Sequence, residues 1–296
     1  MRALITGGTG FIGQHLAKRL SRPIIVGRNV EKIKRLFADN EVRKWDGSQD
    51  AAPDFLDGVD TIFHLAGESI FHDRWNAAKK ERIRASRIEG TRHLIELIAK
   101  AKNRPTTLIC SSAIGYYGSR KDEKLTERST PGNDFLAKVC LDWEREALRA
   151  EEYGVRVVLI RTGIVLGDDG GILAQMRLPF KLGLGGRLGS GHQYMSWIHI
   201  DDLTAIMFEA MENTNLRGPI NAVSPNPITN RDFTRALATT LHRPALLSVP
   251  AFALKVVLGE FANVALSSQR VLPEVLQQAG YTYRFPELDG ALRNLL

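Results

Sequence analysis

Apolar and polar positions alternate between two periods along this chain. Residues 3–5 form a short apolar run, and apolar positions then recur at Ile12, Leu16, Ala17 and Leu20, one face of a helix over 13–20. The pattern predicts strands at 23–26, 42–45, 61–65, 106–110 and 155–160. Helices are predicted at 31–37, 79–101 and 135–152. The fourth run is apolar throughout, as a strand buried on both faces should be. This alternation predicts the α/β class, with a doubly wound parallel sheet and right-handed crossovers. After Arg161 the pattern changes. Residues 167–191 are rich in glycine and read as a loop-rich insertion, 197–212 as strand then helix, and 217–221 as one more strand. The rest, to 296, reads as mainly helical. The expected organisation is a nucleotide-binding domain over 1–165, to which 197–222 return. A smaller, mainly helical substrate lobe is expected from 166–196 and 223–296.

Composition narrows this picture. At 296 residues, 44% of them hydrophobic, the chain can bury a sizeable core. The formal charge of +7 could suit nucleic acid. However, acidic residues interleave with the basic crowd between Arg74 and Arg104, and no nucleic-acid motif is present. Phosphorylated small ligands suit the charge better. The two cysteines, Cys110 and Cys140, lie far apart with no metal spacing, which points to a reducing compartment. The seven histidines show no ligand spacing either, so no metal is expected. No apolar run reaches membrane-spanning length. The first strand begins at once, leaving no room for a leader, so the expected location is cytoplasmic.

The strongest motif is TGGTGFIG, Thr6 to Gly13, between the first strand and the first helix. Gly7 allows the tight turn and Gly10 lets the backbone approach a pyrophosphate. Gly13 lets the helix pack close to the sheet. Free N–H groups and the positive end of the helix dipole then face the phosphates. With Thr9, Phe11 and Ile12 these residues form a candidate dinucleotide cradle on a Rossmann-type sheet. The second strand ends Val26, Gly27, Arg28, Asn29, without the acid that holds a ribose 2′-hydroxyl. Arg28 can instead pair with a 2′-phosphate, so the expected cofactor is NADP(H).

A series of motifs gives the chain a specific resemblance. TGGTGFIG is followed by His64 to Gly67 (HLAG), by Ser111 and Ser112 with Tyr117 and Gly118, by Arg161, Gly163, Val165 and Gly167, and by Trp197 to Asp202 (WIHIDD). The series is similar to the extended short-chain dehydrogenase/reductase superfamily, in its NAD-dependent epimerase/dehydratase family. Further features resemble the YfcH-like branch, known as epimerase family proteins. These are Arg74 and Trp75, Ser86 and Arg87, Asp134 to Ala137, Trp143 and Glu144, Leu182 to Gly186, Gly189 to Gln193, Gly280 and Tyr281, and Phe285 and Pro286. The resemblance implies further cofactor contacts at Asp46, Leu65, Ala66, Gly67, Ser111 and Lys138.

The chain departs from the family in its chemistry. The family carries Tyr-x-x-x-Lys on the helix after the fifth strand. Alignment on Lys138 places Asp134 at the tyrosine, whereas alignment on Glu144 places Leu136 and Cys140 at the two positions. Arg87 stands where asparagine is usual. Of the usual catalytic set only a serine remains, taken as Ser112. Tyr116, Tyr117 and Glu68 are the candidate replacements for the tyrosine. Glu68 has an alternative role as a salt-bridging group. Arg177, Lys181 and Arg187, beside the glycine-rich segment, could receive an anionic substrate. Two functions follow. One is an NADP(H)-dependent oxidoreductase or nucleoside-diphosphate-sugar epimerase with an altered catalytic pair. The other is a catalytically weak NADP(H)-binding redox sensor or interaction module. The expected partner is a small molecule, anionic or nucleotide-linked, and a homodimer is one open state of assembly.

Overall fold

Seven short strands lie side by side in a single parallel sheet. They are β1 (Ala3–Thr6), β2 (Ile24–Gly27), β3 (Val42–Lys44), β4 (Thr61–His64), β5 (Thr107–Ala113), β6 (Arg156–Thr162) and β7 (Gly218–Ala222). This computed structural model describes residues 1–71, 73–245 and 247–296. Across the sheet the order is β3-β2-β1-β4-β5-β6-β7, and every pairing is parallel. The order reverses beside β1. Thr6 pairs with Val26 on one side and His64 on the other, which brings the carboxyl ends of β1, β2 and β4 level. Open α/β sheets bind ligands at such a switch point.

Helices cover both faces, which is why β1 and β4 are buried at all four of their positions. On one face Ile5, Ile25, Phe63, Ile109 and Val158 pack against α1 (Phe11–Arg19) and α6 (Ile200–Glu212). On the other, Leu4, Ile24, Ile62, Leu108 and Val157 pack against α3 (Ala77–Lys100) and α4 (Phe135–Leu148). The period of two along each strand sorts its residues between these cores. Between β2 and β3 runs α2 (Val30–Leu36).

The predicted helix over 135–152 ends at Leu148. A 3₁₀ turn, Arg149–Tyr153, follows, and Gly154 closes it at φ 79°. Within 167–191, expected to be loop, the chain forms α5 (Gly171–Lys181). The glycine count obscured an apolar stripe there. Leu173 and Phe180, seven residues apart on one face, are buried and carry the helix.

The lobe outside the sheet has its own core, in which Leu173 and Phe180 meet Trp197, Phe233 and Leu237. The last two belong to α7 (Asn230–Thr240), and α8 (Ala251–Leu258), α9 (Phe261–Ala265), α10 (Glu274–Gln278) and α11 (Leu288–Leu295) follow. The end of the chain is tied back to the rest. The segment Arg270–Val271 pairs in parallel with Lys124–Leu125. Ser196 Oγ donates to Gln269 O at 2.7 Å and accepts from Val271 N at 2.8 Å. In the first turn of α6, the buried Asp202 carboxylate accepts from Arg284 N at 2.8 Å and Phe285 N at 2.9 Å.

Candidate functional site

Two close approaches fix the glycine loop. Gly7 turns at φ 71°, and a Cβ there would lie 2.8 Å from the Ala66 nitrogen. A Cβ on Gly13 would meet Gly7 O at 2.5 Å, so only glycine lets α1 sit this near the turn. Gly10 differs. It is exposed, and a Cβ on it would have one neighbour, Gly7 O at 3.2 Å. A Cβ here would be tight against that one backbone oxygen but far less crowded than at Gly7 or Gly13, and the remaining space faces outward. Gly10 is also the N-cap of α1. No side chain caps that helix and no acid lies in its first turn, so its leading N–H groups are available to an anion. Thr9 O accepts from Gln14 Nε2 at 3.0 Å, while Phe11 and Ile12 are half-buried against the core.

Arg28, just beyond β2, is exposed and makes no hydrogen bond or ion pair among the described residues. Asp46 follows β3, and its carboxylate accepts from Ser48 N at 2.9 Å. Its hydrogen bonds with Ser48 hold it below the usual carboxylate range. Leu65 and Ala66 donate to Thr6 O at 3.2 Å and Thr6 Oγ1 at 3.3 Å, and Gly67 is exposed beside them. The expected cofactor residues therefore gather at the ends of β1 to β4. Lys138 does not join them. It is exposed on α4, about 200° around the helix from both Leu136 and Cys140.

Leu136 and Cys140 are the α4 residues turned toward the chain leaving β5. A Cβ on Gly115 would lie 3.5 Å from Leu136 Cβ and 3.8 Å from Cys140 Sγ. Burial pushes the Cys140 thiol up to about 12. Asp134 is the N-cap of α4 and accepts from Ala137 N at 2.9 Å. An alkyl chain and a buried thiol therefore stand on the α4 face nearest Gly115, the positions reached by the alignment on Glu144.

Ser112 and Tyr117 enter a buried network instead. Ser112 Oγ donates to Glu144 Oε1 at 2.6 Å. Arg161 grips the same carboxylate with two hydrogen bonds, Nε at 2.9 Å and Nη2 at 2.8 Å. Arg161 Nη1 donates to the Tyr117 hydroxyl at 3.0 Å, which in turn donates to Asn221 Oδ1 at 2.6 Å. All five side chains are buried. Burial lifts the Tyr117 phenol to about 12. Burial alone would lower the Arg161 guanidinium, but Glu144 outweighs it and holds the group charged. Strand alternation turns Ser111 away from Ser112, toward the opposite face of β5. Tyr116 is half-buried, with the Arg161 guanidinium 3.5 Å from its ring centroid. Its hydroxyl has no protein partner among the described residues.

Sequence reasoning gave no role to Glu144, Arg161, Asn221 or His64. The first two carried a signal. Arg161 is a charge inside the apolar run of β6, and Glu144 is a charge on the apolar stripe of α4. Opposite charges on two buried faces must find each other. His64 accepts or donates at both ring nitrogens, to Thr6 Oγ1 at 2.8 Å and Thr91 Oγ1 at 3.1 Å. Trp143 Nε1 donates to the same Thr91 hydroxyl at 2.9 Å. Burial pushes the imidazole down to about 4, so it is neutral at pH 7.

Glu68 forms an ion pair. Lys79, whose side chain is 1% exposed, donates to it at 2.7 Å and holds its pKa below the ordinary value. Arg87 runs beneath Gly67, donates to Glu68 O at 3.0 Å and Ile83 O at 3.2 Å, and lies 5.2 Å from the Trp143 ring centroid. Burial lowers its pKa. Arg177, Lys181 and Arg187 do not converge on this site. Arg187 donates to Ser248 Oγ at 3.3 Å, and Lys181 is exposed at the end of α5. His15, Asp168 and Asp169 bring one ligand atom each within 4.8 Å of one another at the surface. No helix among the described residues is long and apolar enough to cross a membrane.

Comparison with known proteins places this geometry in context. The model of the NAD dependent epimerase/dehydratase family matches residues 3–222, and a domain of unknown function, DUF1731, matches 249–295. Epimerase family protein YfhF of Bacillus subtilis is 39% identical, over 100% of this chain and 98% of that protein. The crystal structure of human epimerase family protein SDR39U1 (isoform2) with NADPH superposes with a TM-score of 0.91 at 34% identity, covering 100% of this chain and 99% of that one. A nucleoside-diphosphate sugar epimerase from Corynebacterium glutamicum is 36% identical with a TM-score of 0.77, and this chain spans 58% of it.

Proposed function

The chain belongs to the NAD dependent epimerase/dehydratase family, and from that premise we propose that it binds NADP(H) and acts as an oxidoreductase on a small, anionic or nucleotide-linked substrate without the family's tyrosine–lysine pair. Three features fit the cofactor. They are the outward space at Gly10, the uncapped N-terminus of α1 and the free guanidinium of Arg28. The NADPH bound by the human relative supports the same choice. Gly7, Gly10 and Gly13 would hold the pyrophosphate, Arg28 the 2′-phosphate, and Asp46 with Leu65 to Gly67 the adenosine half. When bound, the nicotinamide supplies hydride exchange.

The observation that carries the altered chemistry is the face of α4. Leu136 and Cys140 stand nearest Gly115, and neither exchanges protons at neutral pH. Ser112 is committed to Glu144, Tyr117 to Asn221 and Glu68 to Lys79. Tyr116 keeps an uncommitted hydroxyl, and Arg161 fixes its ring, so Tyr116 is the proposed proton donor. Lys138 is not proposed to hold the ribose. The two free, buried cysteines suit a reducing compartment such as the cytoplasm.

The α4 face also favours a second reading, a redox sensor that binds NADPH and turns over little. A substrate panel monitored by NADPH absorbance separates the two. Under the first reading some substrate is turned over, and Tyr116→Phe lowers kcat by about 10²–10⁴-fold, the usual contribution of a placed acid. Full turnover in that variant would eliminate Tyr116. Tight NADPH binding with no turnover of any nucleotide sugar leaves the sensor.

A further inference from the structure

A second cationic site lies in the lobe. Residues 170–200 and 233–259 contain no aspartate or glutamate, yet they carry Arg177, Lys181, Arg187, Arg235, Arg243 and Lys255. The two segments meet in space, since Gly186–Leu188 pairs with Leu247–Val249 and Arg243 Nε donates to Lys181 O at 3.2 Å. Where α7 crosses this seam there is a basin of about 810 Å³, a volume in the range of small-molecule sites. Arg187, Arg231, Arg235 and Arg243 line it together with Thr234 and Ala238.

The charge in the basin is poorly compensated. Among the described residues, Arg187 and Arg243 bond only to neutral partners, Ser248 Oγ and two carbonyls. One carboxylate, Asp232, serves both Arg231 and Arg235, at 3.7 and 3.6 Å, and it also accepts from Thr229 Oγ1 at 2.6 Å. Four guanidiniums thus face one partly occupied carboxylate. Thr234 and Ala238 are the buried members of this lining. Thr234, 4% exposed, has a hydroxyl with no partner among the described residues. A helical threonine ordinarily bonds back to the preceding turn, and this one, in the lining of the basin, does not.

We propose that this basin is an anion site, distinct from the cofactor cradle, for a ligand carrying two or more phosphate charges. Planar guanidinium forks bind phosphate oxygens two at a time, and the Thr234 hydroxyl donates to a further oxygen. The apolar wall at Ala238 and Leu247 accommodates a carbon portion of the ligand. No residue of the basin belongs to the glycine loop, the strand ends or the α4 face, so the inference does not depend on the redox reading.

The test uses the intact protein saturated with NADPH, so that the cofactor cradle cannot capture the probe. Calorimetry with inorganic pyrophosphate should reveal one saturable, salt-sensitive site. Arg231→Gln combined with Arg235→Gln, both exposed and outside the core, should weaken it about a hundredfold. Thr234→Val, which keeps the side-chain shape, should weaken it about tenfold. NADPH affinity and the unfolding midpoint serve as controls for folding in each variant. A parallel arm replaces pyrophosphate with vesicles containing a phosphoinositide. Sedimentation with them, lost in the arginine variant, identifies a lipid headgroup as the source of the phosphate. Binding of pyrophosphate alone identifies a soluble one. If neither probe binds in the presence of NADPH, or if the variants bind as tightly as the parent, the proposal fails.

Discussion

His64 joins β1, β4 and α3 through hydroxyls at both ring nitrogens, and its neutrality sets a pH dependence for the whole protein. Folding lowers its pKa from 6.5 to about 4 by burial. In that window the unfolded chain binds the proton and the folded chain does not. Stability should therefore be fully present above the window and fall through it as pH drops, by about 3 kcal/mol for the complete shift. Burial lowers His199 in the same direction, which adds to the loss. Urea unfolding across the window should show a steeper slope in the parent than in His64→Asn, and equal slopes would refute the assignment. Arg28 is the proposed determinant of cofactor choice. Arg28→Asp removes a fork that can grip a 2′-phosphate and adds a carboxylate that accepts from a 2′-hydroxyl. The preference for NADPH over NADH should shrink by about ten- to a hundredfold or reverse, as measured by calorimetry with both cofactors. Equal affinities in the parent would refute the role.

At the scale of elements, α1 stands on two glycines with different duties. Gly13 serves packing, whereas Gly10 serves the space beyond the protein. Gly10→Val should leave the unfolding midpoint within a few degrees of the parent yet abolish NADPH binding, and normal binding would displace the cradle from this loop. The layout of strands and helices was legible because the buried strands are centred on apolar runs and the helices covering them carry apolar stripes. The cradle was legible because its glycine spacing is local in sequence. Other features were not legible. α5 was obscured by surrounding glycines that set close contacts rather than a loop, as at Gly170, where a Cβ would run into the Phe11 ring. The fate of Ser112 and Tyr117 depends on Glu144, Arg161 and Asn221, which are 32, 44 and 104 residues from their partners. Windowed patterns cannot see such pairs. Which of Lys138 and Cys140 faces the chain after β5 was not legible either, because it depends on how α4 packs.

At the scale of the molecule, sheet and lobe are bound through Asp202, whose carboxylate takes two backbone N–H groups from the end of the chain. Asp202→Ala leaves both donors without a partner in a part-buried setting, a loss of about 2–4 kcal/mol. Because α6 packs on the sheet while its Asp202 holds the end of the chain, and Trp197 beside it sits in the lobe core, a single unfolding transition should persist at lower denaturant. Two separated transitions would show that the halves fold independently. The tie from Arg270–Val271 back to Lys124–Leu125 also has a consequence in time. A ribosome adding roughly 5–20 residues each second makes β1 to β4 and the glycine loop early. It reaches Arg270 only some ten seconds after the end of β6. Throughout that interval the growing chain owns the half of the cleft that greets the dinucleotide, while the lobe beside it is still being translated and lacks the tie that fastens it.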